Sequence, residues 1–410
     1  MNKYIYNILC GVLLFCVAIP ALAQADDLKY RRSSLYTLLI NHEEQKFATE
    51  IKDAFLKIPT PDKFNDHDLN VKTLTMNKKL RRVSSDREND DVKEFLERNH
   101  VASRLVGKWF NRDMATGVCD MELVKERGLY NATEYDRILA EKSARSQALL
   151  MDAGEELIGN TFVVVNDIRY IDKSKAAKVA GTILRVVGAV AGAAMGSSDL
   201  MDMGDNLAKM AESLKGFRVR INSFLYRLEW DEATANTFYK DQYAAQPDEA
   251  KRQAFEKGRG GYKLKYVGKV ESSGSTTSFM GVKLDNPEAM VRKACQRALD
   301  ENIASLQSEF EEFRVKMPLV SATPITAYVG MKEGVDEDTR FEVLETIENE
   351  DGSHEYKRVG VIAPIESLIW DNRYMAAEEG APTAGLGCTT FKKVSGGDFM
   401  PGMLIREIKK

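Results

Sequence analysis

Two runs of strand character, residues 161–171 and 217–230, bracket a helical segment, and few topologies accommodate that order. The first, TFVVVNDIRYI, reads as a strong strand. In the second, Phe217, Val219 and Ile221 alternate with Arg218, Arg220 and Asn222. Alternation with period two predicts one wet face and one buried face. The expected fold is an α+β or α/β main body over residues 26–317. It carries a glycine-rich helical hairpin at 173–215 and is followed by a small SH3-like β-barrel at 318–410.

The insert has the most distinctive pattern, VAGTILRVVGAVAGAAMGSS over residues 179–198. Gly188, Gly192 and Gly196 recur every four residues, with Ala189, Ala193 and Ser197 beside them. That stripe of small residues lies along one helix edge and lets a second backbone approach closely. These five glycines and alanines are the candidate interaction residues. Leu200, Met203, Leu207, Met210, Ala211 and Leu214 then follow amphipathic spacing, so a hairpin turning near Ser197 is expected. Arg185 weighs against a membrane span: a central Arg costs about 2.5–3.5 kcal/mol, which the neighbouring Val, Ile and Leu residues only offset.

Ser34 to Ile40 reads as a buried strand, and residues 43–57 as a helix with Phe47, Ile51 and Phe55 at helical spacing. Residues 62–90 read as a polar, irregular loop with a basic cluster at 78–82. One helix is predicted over 91–110, another from Asn131, capped by its side chain and by Glu134, to about Ile158. A helix over 231–257 and a strand pattern at Tyr262, Leu264 and Tyr266 follow, with Ser272-Ser273-Gly274-Ser275 as a turn. Pro287 opens a long helix whose inner stripe is Val291, Cys295, Ala298, Asn302, Leu306, Phe310 and Phe313. Beyond Pro318 the pattern is of short strands, with a hairpin signal at Asp351-Gly352.

The first residues carry an export signal. Lys3 precedes an uncharged apolar run from Ile8 to Ala23 that ends in Ala21-Leu22-Ala23 and Ala23-Gln24-Ala25. Small residues at those positions suit signal peptidase, so residues 1–25 are expected to be removed. Three cysteines remain, Cys119, Cys295 and Cys388, too few for a disulfide framework. Cys295 sits on a core stripe and reads as a small packing residue. The formal charge of −4 is too small to argue for nucleic acid as a partner.

Motifs for nucleophile elbows, phosphate loops, zinc proteases and calcium loops do not occur in the sequence. His42, His67, His100 and His354 are isolated along the chain. Asp62, Asp66, His67 and Asp68 cluster locally in a manner that can hold a metal, although a polar turn explains them as well. Asp199, Asp202 and Asp205 read as a solvated helix shoulder. No cofactor and no metal is expected.

The order of elements over residues 34–317, with VRKACQRALDENIASLQ, resembles the mixed α/β modules of curli-secretion and lipoprotein-activator proteins of the Gram-negative envelope. The ending FEVLE…YKRVGVI…SGGDFMPGMLIRE is similar to the small barrel that closes some flagellar and envelope accessory proteins. RRSSLYTLLI and WFNRD resemble segments of exported bacterial proteins. These likenesses, with the export signal and the small-residue stripe, lead to the expectation of a non-catalytic periplasmic or outer-membrane-associated protein. It would bind or assemble with envelope proteins or with itself. A secreted hydrolase with dispersed carboxylates is the second reading, and a protein contacting or entering the membrane through residues 179–214 the third.

Overall fold

The computed structural model describes residues 33–61, 63–75, 85–128, 154–172, 216–277, 287–314, 316–348 and 354–408. The export signal, the glycine-rich insert with its five candidate residues, and most of the helix expected from Asn131 lie outside them.

A six-stranded mixed sheet forms the main body. In it β1 (Ser33–Ile40) runs parallel to β2 (Phe64–Asp66) and β3 (Thr73–Leu74) along one edge and to the central strand β4 (Thr161–Asp172) along the other. β5 (Gly216–Leu228) and β6 (Leu264–Thr277) extend the sheet antiparallel on the β4 side. In β1, Leu35 and Leu39 enter the core on one face, and Tyr36, Leu38 and Ile40 enter it on the other. A strand apolar on both faces requires cover on both faces, and helices supply it.

One face carries α1 (Ala48–Leu56) and α7 (Pro287–Glu309). Ile51, Phe55, Val291, Cys295 and Ala298 meet Leu39, Ile168 and Ile221 there. The other face carries α2 (Ser85–Arg98), α3 (Val101–Trp109), α4 (Glu122–Gly128), α5 (Glu232–Asp241) and α6 (Glu249–Gly258). Trp109, Phe110 and Phe238 are fully buried against Val163, Val165, Phe224 and Tyr226.

Several local expectations are corrected. α1 starts at Ala48, not residue 43, because Gln45 bridges the Ile168 carbonyl (3.1 Å) and the Tyr170 amide (3.2 Å) and holds the preceding segment in turns. The supposed loop over 62–90 contains β2, β3 and the start of α2. The single helix over 91–110 is two, broken where His100 takes a left-handed φ of 50°. The single helix over 231–257 is also two, each with its own aspartate cap: Asp231 accepts from the Thr234 amide at 2.8 Å and Asp248 from the Lys251 amide at 3.1 Å. Pro247, just before the second cap, lacks the N–H a continuous helix would need.

The alternation in β5 holds only to Asn222; from Ser223 onward both faces are covered. Ser272 to Ser275 is not a turn but the interior of β6. Its small residues admit α7: the Ser272 hydroxyl donates to the Ala298 carbonyl at 2.8 Å, and a Cβ on Gly274 would strike the Ala294 carbonyl oxygen.

The C-terminal part is a closed six-stranded antiparallel barrel, as expected in outline. Its strands are β7 (Met317–Ala322), β8 (Ile325–Ala327), β9 (Phe341–Glu348), β10 (His354–Pro364), β11 (Thr389–Gly396) and β12 (Leu404–Glu407). β9 and β10 pair from Ile362 opposite Phe341 to His354 opposite Glu348. Residues 349–353, which hold the Asp351-Gly352 signal, lie outside the described residues. Leu319, Ala327, Val343, Ile362, Phe391 and Ile405 fill the barrel, and Met317 touches both this core and the α7 side of the main body.

Candidate functional site

Two polar clusters lie inside the main body, and both are structural. On the α7 face, Ser223 Oγ donates to Asn166 Oδ1 and receives Asn302 Nδ2, each at 2.6 Å. This ladder pins α7 to β4 and β5 and accounts for Asn302 on an otherwise apolar stripe. On the opposite face, Arg127 Nη1 donates to His67 Nδ1 (2.6 Å) and to Ser34 Oγ (2.8 Å), while His67 Nε2 donates to the Leu105 carbonyl at 3.0 Å. The guanidinium also stacks over Trp109, 4.5 Å from the ring centroid.

Burial and then the Arg127 charge push the His67 pKa well down, so the ring stays neutral. With both nitrogens engaged, His67 is not a metal ligand in this geometry. Among the described residues no group of three His, Cys, Asp or Glu side chains is placed to hold a metal.

His42 Nε2 lies 2.6 Å from Asp167 Oδ1, a carboxylate that Arg169 also holds. Cys119 and Cys295 are buried free thiols and Cys388 is half-buried. Burial raises Cys119 and pushes Cys295 up to about 12, which makes both poor nucleophiles.

The accessible chemistry lies where the barrel meets the main body. A cleft of about 470 Å³ opens between α7, residues 273–275 of β6, and the barrel's short 3₁₀ turn Met331–Glu333. α7 contributes Arg297, Asp300, Glu301, Ala304, Ser305 and Ser308. The barrel side contributes Met331, Lys332, Glu333, Arg373 and Glu407.

Asp300 is 8% exposed. Its Oδ1 accepts from Gln296 Nε2 at 3.2 Å and lies 3.7 Å from Lys332 Nζ, whereas Oδ2 has no hydrogen-bond partner among the described residues. Burial raises its pKa to about 6 against the pull of Lys332. Partial desolvation against its neighbours also raises Glu301, although the residue as a whole is exposed.

Glu333 is tied down. Its Oε2 accepts from the Gly330 amide (2.9 Å) and Asn372 Nδ2 (2.7 Å), and its Oε1 lies 3.9 Å from the buried Lys63 ammonium. Burial lowers the Lys63 pKa. The other cations are likewise committed. Arg373 makes two bonds to Asp371 at 2.8 and 2.7 Å, and Arg297 holds Glu379 and the Tyr374 carbonyl.

None of these residues stood out in the sequence. Asp300 and Glu301 fall off the apolar stripe of α7, the position of an ordinary solvated face. Only the docking of a barrel turn more than thirty positions downstream encloses them. The Gln296–Asp300 spacing of one turn is as common on solvated helix faces and gives no signal of its own.

Gly188, Ala189, Gly192, Ala193 and Gly196 all lie outside the described residues. No helix among the described residues is long and apolar enough to cross a membrane. The sequence matches no protein-family model and no curated relative.

Proposed function

We propose that this chain is a non-catalytic component of the bacterial envelope, periplasmic or outer-membrane-associated, that binds other envelope proteins through the cleft between α7 and the barrel. The carrying observation is the cleft itself. It is roomy, its walls come from both parts of the chain, and Asp300 and Glu301 keep acceptor capacity that no donor among the described residues uses. The export signal and the resemblance to curli-secretion and lipoprotein-activator modules support the same reading. Self-association through the stripe at Gly188, Gly192 and Gly196 belongs to the proposal as a second contact.

The hydrolase alternative has one observation in its favour: Asp300, Glu301, Glu333 and Glu407 share the cleft. Their arrangement weighs against it. Glu333 is held by two hydrogen bonds and faced by Lys63. Asp300 and Glu301 are consecutive on a helix and diverge by about 100°. A glycosidase needs two carboxyl groups facing each other across the bond, ~5–10 Å apart.

The test is affinity capture from envelope extracts with the wild type and with Ser305→Trp, which fills the cleft from α7. A specific partner retained by the wild type and lost by the folded variant supports the reading. Capture unchanged by the filled cleft refutes it. Amino-terminal sequencing of the native envelope fraction should start at Gln24 or Asp26, and an intact Met1 would remove the export part.

A further inference from the structure

The cleft's charges are unevenly used, and the imbalance identifies what it accepts. Arg373 and Arg297 are held by Asp371 and Glu379, neither of which lines the cleft. Lys332 faces Asp300 Oδ1. On the acidic side, Asp300 Oδ2 is buried without a donor, and Glu301 carries no ion pair among the described residues. A buried carboxylate oxygen without a donor is rare in a folded chain, and a bound ligand is one of its ordinary causes. The serine hydroxyls of residues 275 and 305 add neutral acceptors, and Ala304 and Met331 give the wall an apolar part.

We infer that the cleft is a receptor for an alkylammonium or alkylguanidinium group, its charged head bonded to the buried Asp300, its methylene stem along Met331 and Ala304, and the exposed Glu301 adding negative charge at the mouth. This deepens the binding function proposed above and rests on it. Long cationic side chains have this shape, an apolar stem ending in a charged donor. A carboxylate partner gives such a head its charge-assisted hydrogen bonds. An anionic ligand would instead face four acids, with Arg373 held by Asp371 and Arg297 bonded to Glu379 and the Tyr374 carbonyl, its buried Nε left over. The same cation is offered by a lysine or arginine of a partner protein and by a free polyamine.

Occupancy should follow the charge on Asp300. The groups facing that carboxyl are Lys332 and Glu333 from the barrel turn, Lys63 from the segment before β2, Glu407 from β12, and Glu301, Arg297 and Gln296 on its own helix. Above about pH 6 the acid is charged and attracts the ligand; below it the acid is neutral.

The experiment is calorimetric titration of the full chain with Nα-acetyl-lysine methylamide and with cadaverine. Nα-acetyl-norleucine methylamide serves as the uncharged control. Saturable binding of a cationic probe is expected, at least tenfold weaker in Glu301→Gln and up to about tenfold weaker at pH 5 than at pH 7.5. Glu301 is exposed, so its variant leaves the fold intact. Tighter binding of the lysine derivative assigns a protein side chain as the source, and tighter binding of cadaverine a free polyamine. Absence of saturable binding by both cations overturns the inference, as does equal affinity for norleucine or for the Glu301→Gln variant. If the probes fail while Ser305→Trp still abolishes partner capture, only the ligand class is wrong. If Ser305→Trp leaves capture intact, the binding site itself is wrong.

Discussion

The Lys63 ammonium of the main body lies 3.9 Å from Glu333 Oε1 of the barrel, with both side chains largely buried. The two ends of this pair are not equivalent. Glu333 retains the Gly330 amide and Asn372 as donors when Lys63 is replaced. Neutralising Glu333 instead leaves a buried cation without its nearest counter-charge. Glu333→Gln should therefore cost about 3 kcal/mol and Lys63→Met within about 1 kcal/mol. Urea unfolding of the two variants decides it, and equal losses would mean the contact contributes packing rather than charge.

Asp300 should give the protein an acid-side stability slope of unusual sign. Its folded pKa is about 6, against about 3.9 in an unfolded chain. Between those values the folded state holds more protons, so stability falls as pH rises through that window and is level above it. The loss is at most about 3 kcal/mol, at roughly 1.4 kcal/mol per pH unit. Asp300→Asn should remove this contribution and raise stability at pH 8 by about 1–3 kcal/mol. Denaturation of both proteins at pH 4, 6 and 8 gives the comparison. A less stable variant at pH 8 would show that the Lys332 pairing outweighs burial.

Gly274 sets how closely α7 lies on β6. An added methyl meets the Ala294 carbonyl oxygen and the Ala298 Cβ, and backbone cannot turn aside as a side chain can. Gly274→Ala is expected to lose about 1–3 kcal/mol through overpacking. Ser275→Ala, on the next and exposed position, should change little. Melting curves that coincide for both variants would place the helix farther from the strand.

In the insert, the sequence pattern makes its own prediction at Gly192. In an isolated solvent-facing helix, a better helix former there would stabilise by up to about 1 kcal/mol. If the stripe packs against a second backbone, Gly192→Leu instead costs about 1–3 kcal/mol or abolishes association, while Ala193→Ser does little. A melt and a size-exclusion profile of each variant give the sign. A higher melting point with unchanged oligomeric state would make the stripe incidental.

The elements legible in the sequence were those whose signal is local and repeated. β1, β4, β5 and α7 announced themselves through long apolar runs or a helical stripe, and the barrel through its density of short strand patterns. What escaped was decided by contacts between distant segments. Ser272 to Ser275 has turn composition, and only the presence of α7 above it makes small residues a strand requirement. β2 and β3 are too short to show a period and exist because β1 has a free edge to pair with. The breaks at His100 and before Asp248 were readable in principle, since Pro247 and a second capping aspartate stand in the sequence. The cleft was not, because no pattern within α7 distinguishes an acid covered by a barrel from one in water.

The register between β4 and β5 has a consequence for the insert. Asp172 stands directly opposite Phe217, and the two strands stay paired from there to Phe162 and Arg227. The ends that residues 173–215 must join thus stand one strand spacing apart. Replacing residues 173–216 with Asn-Gly puts a two-residue turn between the paired Asp172 and Phe217, a tight reversal the strands are already poised to make. Shortening the connection alone should favour the folded state by about 2–3 kcal/mol. A cooperative melt at or above that of the parent is expected, and a collapsed or non-cooperative one would mean the body leans on its guest. The sheet is thereby a socket whose rim is also a wall of the cleft: Arg218, Val219 and Arg220, just past the insert, pair with the cleft-lining residues 273–275, so whatever is exchanged between residues 172 and 216 is read out next door.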